Sequence, residues 1–397
     1  MALGSKLISS RSVRWAPVFL MATSAIGPGF ITQTTVFTGQ LYTSFGFAIL
    51  VSVLLDVVVQ LNIWRIVHTT GSYAPVLANK AVPGLGYLLA LLVGAGGLAF
   101  NIANMGGTGL GLEVLLGLPP RWGALLSAGL AIAIFSYRHS AKGMDWFNKV
   151  LGMLMLLLMV VVCVVARPPA IAIVQHTFLP EKIDYPTILT LVGGTVGGYI
   201  SFSGAHRLLD MGGTKPGNLQ AVQKSAVSGI LLTSLMRFLL FATVAGVVAT
   251  GVVLPTVNPA AFVFGTAAGT VGLKIFGVIL WSAAITSVVG ASYTSVSFVA
   301  AVLPAVQKRQ SRFVVGFILA SLAGFLLLGK ATQLLVWAGL LNGIILPLAL
   351  AAMLYVAYTN RQNKALPPHP GWLTAAGWLV VGAMAGMAIY TLYQKFA

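Results

Sequence analysis

The chain predicts an all-α polytopic membrane protein: eleven transmembrane helices, arranged as two five-helix inverted repeats and one peripheral helix. Three observations carry this. Hydrophobic residues make up 58% of the 397 residues, charged residues only 7%, and mean hydropathy is +0.95. A soluble domain carries about 25% charged residues, so this chain could not keep its apolar surface from water. Apolar runs long enough to span, or nearly so, follow one another with short links. Two glycine-rich interruptions, Gly27-Pro28-Gly29-Phe30 and Gly193-Gly194-Thr195-Val196-Gly197-Gly198, fall at corresponding places in two halves.

The runs lie near 17–37, 46–66, 84–108, 122–137, 147–166, 187–206, 225–250, 272–303, 313–329, 332–357 and 372–393. Residues 1–166 form the first repeat, 167–185 an extracytoplasmic connector, 186–358 the second repeat, and 359–397 the last helix. An odd number of spans per half gives the halves opposite orientation, which is the arithmetic of an inverted repeat. Lys6, Arg11 and Arg14 before the first run imitate a signal peptide. That reading is rejected, because the run continues through the Gly-Pro-Gly break and is needed to complete the first half.

The net charge of +17 invites a nucleic-acid reading. Its distribution opposes that. With the N-terminus inside, Arg121, Arg167, Lys182, Lys274, Lys330 and Lys395 face out, Arg237 lies in the membrane, and the other sixteen basic residues face the cytoplasm. This is a positive-inside bias, and it places the C-terminus outside. The lone Cys163 lies in an apolar run and reads as a small core hydrophobe.

Broken membrane helices free backbone groups that hydrocarbon cannot satisfy, so they survive only where the backbone is buried or lines a cavity. A matched pair of breaks is the sequence pointer to a secondary transporter's binding site. Gly29, Thr32, Gln33, Thr34, Thr35 and Thr38 flank the first break; Gly197, Gly198, Tyr199, Ser201 and Ser203 flank the second. The alternative is that the hydroxyls merely bond back to their own helices. Asn101, Asn104 and Thr108 recur at helical spacing on the third span, Thr286, Tyr293 and Ser297 on the eighth, and Asn342 is central in the tenth. Each is a candidate ligand contact or interhelical glue. Asp56 and Arg237 lie mid-span in the second helix of each half. Intramembrane charges default to a functional hypothesis, with a structural ion pair as the alternative.

At Gly27-Pro28-Gly29-Phe30, at Gln40 followed by Phe45-Gly46-Phe47, at Leu346-Pro347 and through Gly193–Asp210, the sequence resembles the Nramp superfamily of divalent-metal transporters, in a divergent bacterial branch. The resemblance implies the LeuT-type 5+5 inverted repeat, a bacterial inner membrane, transport by alternating access and a coupling ion, H+ or Na+. It departs at the metal motifs. The family's Asp-Pro-Gly-Asn motif is absent, and Ile31–Thr35 stand in its place with no carboxylate. Gly197, Gly198 and Tyr199 stand where the family has Met-Pro-His. The charged network of the family's third helix is replaced by Asn101 and Asn104, with Glu113 near the end.

Hydroxyls and amides alone are poor ligands for Mn2+ or Fe2+. The preferred substrate is therefore a small organic solute, a carboxylate or amino-acid-like molecule. The alternative is a divalent metal that keeps its water, such as Mg2+. No cofactor is expected: Gly106-Gly107-Thr108-Gly109-Leu110-Gly111 follows no strand and is no dinucleotide fingerprint. An intramembrane hydrolase built on Ser203, His206 and Asp210 is the reading from another class, disfavoured because side chains stacked on one helix face rarely converge as a triad.

Overall fold

The computed structural model describes residues 26–136, 141–210, 219–360 and 367–396, and these residues are helices and links without a strand. In chain order the helices are α1 (Pro28–Leu41), a short turn Tyr42–Ser44, α2 (Phe45–Thr70), α3 (Ala74–Ala81), α4 (Leu85–Leu116), α5 (Pro120–Ser136), α6 (Ala141–Ala166), α7 (Ala170–Phe178), α8 (Tyr185–Val196), α9 (Tyr199–Asp210), α10 (Leu219–Val248), α11 (Pro259–Ala300), α12 (Pro304–Lys308), α13 (Gln310–Leu328), α14 (Ala331–Thr359) and α15 (Gly371–Phe396).

Among the described residues, eight segments are long and apolar enough to cross a membrane, or nine if the pair 153–166 and 170–178, bent by 109°, counts as one. One of the eight is Pro28–Thr70, 43 residues. That is too long for a single crossing, and the turn at Tyr42 (φ 49°, ψ −127°) divides it into α1 and α2. α5 is apolar but shorter. Residues 17–25 of the first expected span lie outside the described residues.

Two elements depart from expectation. The connector 167–185 contains a helix, α7. The eighth span, expected from 272, begins at Pro259 and turns at Gly269, whose φ of 62° and ψ of −163° interrupt the helix. Glycine carries no Cβ to resist that geometry.

α4 packs along α11 and α14, α14 along α8, and α10 along α2. Small residues permit the closest approach. A Cβ at Gly193 of α8 would fall on the Gly339 carbonyl and Gly343 amide of α14, and a Cβ at Gly343 on the Leu189 carbonyl. Close backbone contact of this kind substitutes for the hydrophobic drive that hydrocarbon cannot supply between helices. α8 starts cleanly: Asp184 Oδ2 accepts from the Thr187 amide at 2.9 Å, and Pro186 sits in the first turn.

Two links tie peripheral segments to the centre. His176 of α7 is 2.5 Å from Thr43 Oγ1 through Nδ1 and 3.4 Å from Glu181 through Nε2, while the Glu181 amide donates to Ser44 Oγ at 3.2 Å. The last helix is less peripheral than expected. Asn62 Nδ2 donates to the Leu373 carbonyl at 3.2 Å, His369 Nε2 donates to Asn62 Oδ1 at 2.9 Å, and Arg65 Nη2 donates to the Pro368 carbonyl at 2.8 Å.

Trp64 is fully buried and its Nε1 donates to the Ser201 carbonyl at 3.1 Å. Trp64→Ala is expected to cost about 3–5 kcal/mol through the cavity left behind, seen as a fall in melting temperature of the purified protein. Trp378→Ala, at a side chain 47% exposed, is expected to leave the melting temperature nearly unchanged.

Candidate functional site

The second break is where the glycine run places it. α8 ends at Val196, Gly197 is extended, Gly198 has φ 53°, and α9 resumes at Tyr199. The freed carbonyl of Val196 accepts from the Ser201 hydroxyl, and the Gly197 amide still reaches Gly193 O at 3.2 Å. The first break is narrower than the segment 27–33 that the sequence suggests. Gly27 is an extended N-cap and α1 is already helical from Pro28, with Ile31 N donating to Gly27 O at 3.3 Å. Proline at the first helical position lacks only a donor that would be unpaired anyway, so it starts the helix rather than breaking it.

Most hydroxyls beside the first break bond back to their own helix. Thr34 donates to Phe30 O, Thr35 to Ile31 O and Thr38 to Thr34 O, at 2.7, 2.9 and 2.7 Å. Thr32 is buried. Gln33 behaves differently. Its Nε2 donates to Leu335 O of α14 at 2.9 Å, its Oε1 is buried without a partner, and its amide lies against Gly194 of α8 and Gly339 of α14. Gly29 faces the same side, where a Cβ would sit 3.7 Å from Leu335 O and from the Phe100 ring.

Around the second break, Asn342 of α14 donates to Gly96 O at 3.0 Å and Ala338 O at 2.8 Å, and its unpartnered Oδ1 presses on Gly198. Tyr199 meets Phe100 edge to face at 5.8 Å. Ser295 of α11 lies against Gly97 with its hydroxyl unpartnered. Asn104 is 3.9 Å from where a Cβ of Gly27 would lie. The structure thus brings Gly29, Gln33, Gly198, Tyr199 and Asn342 to one buried region.

Other candidates serve packing. Asn101 Nδ2 is shared between Ser292 Oγ at 2.8 Å and Ser321 Oγ at 2.9 Å, joining α4 to α11 and α13. Thr108 donates to Met105 O, Thr286 to Ser282 O, and Ser297 accepts from Gln310. Tyr293 is exposed, and Ser203 is only partly buried. The triad reading fails on geometry. His206 Nε2 accepts from the Ala74 amide at 3.2 Å, and its ring stacks on Phe298 at 5.2 Å, so it is not available as a base to Ser203. The side chain of Asp210 lies outside the described residues.

The two intramembrane charges sit at the breaks. Arg237 of α10 is 3% exposed, and its guanidinium lies 4.5 Å over the Phe30 ring at the start of α1. Its Nη1 donates to Thr195 Oγ1, in the last turn of α8, at 2.9 Å. Asp56 of α2 is 1% exposed and is coupled to Arg237 by charge and to Thr195 by a side-chain hydrogen bond. No direct Asp56–Arg237 ion pair forms among the described residues. Thr195 stands between the two charges instead. Arg237 Nε and Nη2 and Asp56 Oδ1 are buried and unpartnered. Thr195 and Phe30 belong to the two interrupted segments, but neither stood out as a site residue, because a lone threonine in a glycine run and a phenylalanine in an apolar run carry no chemical signature. Among the described residues no three His, Cys, Asp or Glu side chains gather.

The family model of Natural resistance-associated macrophage protein-like (Nramp) proteins matches residues 18–394. A Bacillus subtilis protein described as "Uncharacterized membrane protein YcsG" is 51% identical over 387 residues, covering 98% of this chain and 96% of the relative. A crystal structure of the Eremococcus coleocola manganese transporter superposes with a TM-score of 0.72 at 13% identity, covering 99% of this chain and 89% of that one. MhsT in complex with L-phenylalanine superposes with a TM-score of 0.62 at 18% identity, covering 98% and 99%. With two interrupted helices meeting at a buried polar centre and the family matched almost end to end, the chain belongs to the Nramp family and is a polytopic membrane transporter of that family.

Proposed function

We propose that this protein is a secondary transporter that moves a small organic anion, a carboxylate or amino-acid-like molecule, by alternating access between two inverted repeats. The substrate rests between the start of α1 and the α8–α9 break, with its carboxylate on Arg237. The single observation that carries this reading is the buried guanidinium, which has two nitrogens unpartnered while it touches both interrupted helices. A planar fork with free donors suits a carboxylate. The N-terminal ends of α1 and α9 add favourable dipoles for an anion. Gln33, Tyr199 and Asn342 would shape the rest of the site, and Asp56 is the candidate proton acceptor for coupling. The N-terminus lies in the cytoplasm and the C-terminus outside, in a bacterial inner membrane. No catalytic step or cofactor is part of this reading.

A second reading has a specific observation behind it. Gln33 Oε1 and Asn342 Oδ1 are buried, unpartnered amide oxygens beside Gly194 and Gly198. Oxygen ligands suit a hard ion such as hydrated Mg2+, and the fold is one in which the E. coleocola protein is a manganese transporter. The missing carboxylate, imidazole and thioether at the breaks weigh against a transition metal.

The test is uptake into proteoliposomes. Small carboxylates and amino acids, each with and without a proton or sodium gradient, are compared with Mn2+ and Mg2+. Gradient-driven uptake of an organic anion, lost in Arg237→Gln, is the expected result. Micromolar Mn2+ binding by calorimetry, abolished by Gln33→Ala, would replace this reading by the metal one.

A further inference from the structure

A groove of about 310 Å3 opens on the outer surface of the helix bundle, away from the breaks. Its walls are hydrocarbon: Ala99 and Ile102 of α4, Leu328 at the end of α13, Trp337 and Leu341 of α14, and Leu392 of α15. The hydroxyl in the wall, Thr391, is spent on Met387 O at 2.7 Å. Trp337, Leu341 and Leu392 are all exposed, as expected for a face turned to lipid.

One end of the groove is cationic. Lys395, which lines it, holds its ammonium 4.6 Å over the Trp337 ring. Lys330 precedes the first turn of α14, and its amide bonds Leu328 O at 2.9 Å. Between them, Arg121 Nη2 lies 3.7 Å from where a Cβ of Gly329 would be. The ends of α13 and α15 and the start of α14 thus bring three cations to one rim. Among the described residues the one ion pair is His176–Glu181, so none of the three is neutralised by a carboxylate.

We propose that this groove is a binding site for an anionic phospholipid, with an acyl chain along α14 and the phosphate at Arg121, Lys330 and Lys395. A hydrocarbon wall capped by unpaired cations at a membrane boundary matches the two ends of such a lipid. A zwitterionic lipid offers the same chains but no net charge, so selectivity comes from the rim. Each basic residue near an anionic lipid surface contributes roughly fivefold in affinity. Three together favour phosphatidylglycerol over phosphatidylcholine by about a hundredfold.

The full-length protein, delipidated in non-ionic detergent, is titrated with phosphatidylglycerol or phosphatidylcholine, and bound lipid is counted by native mass spectrometry. Phosphatidylglycerol binds tighter; Lys395→Gln loses roughly fivefold of that preference; neutralising Arg121, Lys330 and Lys395 together removes it. Leu341→Trp, which adds bulk inside the groove, weakens both lipids. Melting temperature without added lipid checks each variant. Lys395→Gln, at an exposed side chain, serves where the triple variant does not fold. Equal binding of the two lipids overturns the proposal. So does a full preference in Lys395→Gln, or glycerol phosphate binding as tightly as the lipid. Substrate uptake plays no part in the readout, so the result is independent of the transported solute.

Discussion

Arg237→Ala is expected to abolish transport and to lower stability by about 3–5 kcal/mol, because it strands the Asp56 carboxylate in a low-dielectric interior. Asp56→Ala is expected to do the same to Arg237. The structure refines why. The two charges do not touch directly; Thr195 accepts from Arg237 and bonds Asp56, so the coupling runs through the last turn of α8. The double variant Asp56→Asn with Arg237→Gln leaves no uncompensated charge. It should be more stable than the sum of the single losses, with a coupling of about 1–3 kcal/mol. Melting temperatures of the four proteins give the cycle; strict additivity would mean that the charges do not communicate. Uptake separates structure from recognition. Arg237→Lys keeps the positive charge but not the planar fork. It should fold and still fail to carry a carboxylate. Wild-type uptake in Arg237→Lys would remove Arg237 from the substrate site.

Gly198→Ala carries the second large effect. Gly198 has φ 53°, and a Cβ there would fall on the Asn342 side chain. The left-handed backbone costs an alanine about 1–2 kcal/mol, and forcing Asn342 aside adds about 1–3 kcal/mol. Asn342→Ala in the same protein should recover the second part and not the first. Gly290→Ala is the control, since a Cβ there meets nothing within 4 Å. A wild-type melting temperature and uptake in Gly198→Ala would show that the break tolerates a side chain. The site would then not be the close-fitted junction described above.

The comparison of sequence and structure turns on which forces are local. The apolar runs 332–357 and 372–393 emerge as α14 (Ala331–Thr359) and α15 (Gly371–Phe396), because hydropathy over about 20 residues is a sum that one residue cannot upset. The second break was legible because glycines and a polar flank coincide there. The threonines of α1 misled for a local reason. A hydroxyl on a helix finds the carbonyl four residues back, and Thr34, Thr35 and Thr38 all take it. Gln33, whose longer side chain reaches past its own turn to Leu335, was the residue of that cluster with contacts to offer. α7 was hidden because nine residues are too few for a hydropathy signal. The role of Thr195 was illegible, since it depends on two residues 139 and 42 positions away, Asp56 and Arg237.

The connector helix α7 is fastened by His176 and Glu181 to Thr43 and Ser44, the turn that immediately follows α1. Any tilt of α1 during a cycle must therefore either drag α7 with it or tear those contacts. That makes the connector a built-in gauge. Ile171, on α7 and 87% exposed, can carry a spectroscopic label without touching the polar centre. Its signal would follow the substrate-side half-helix from outside the bundle, one conformational step at a time.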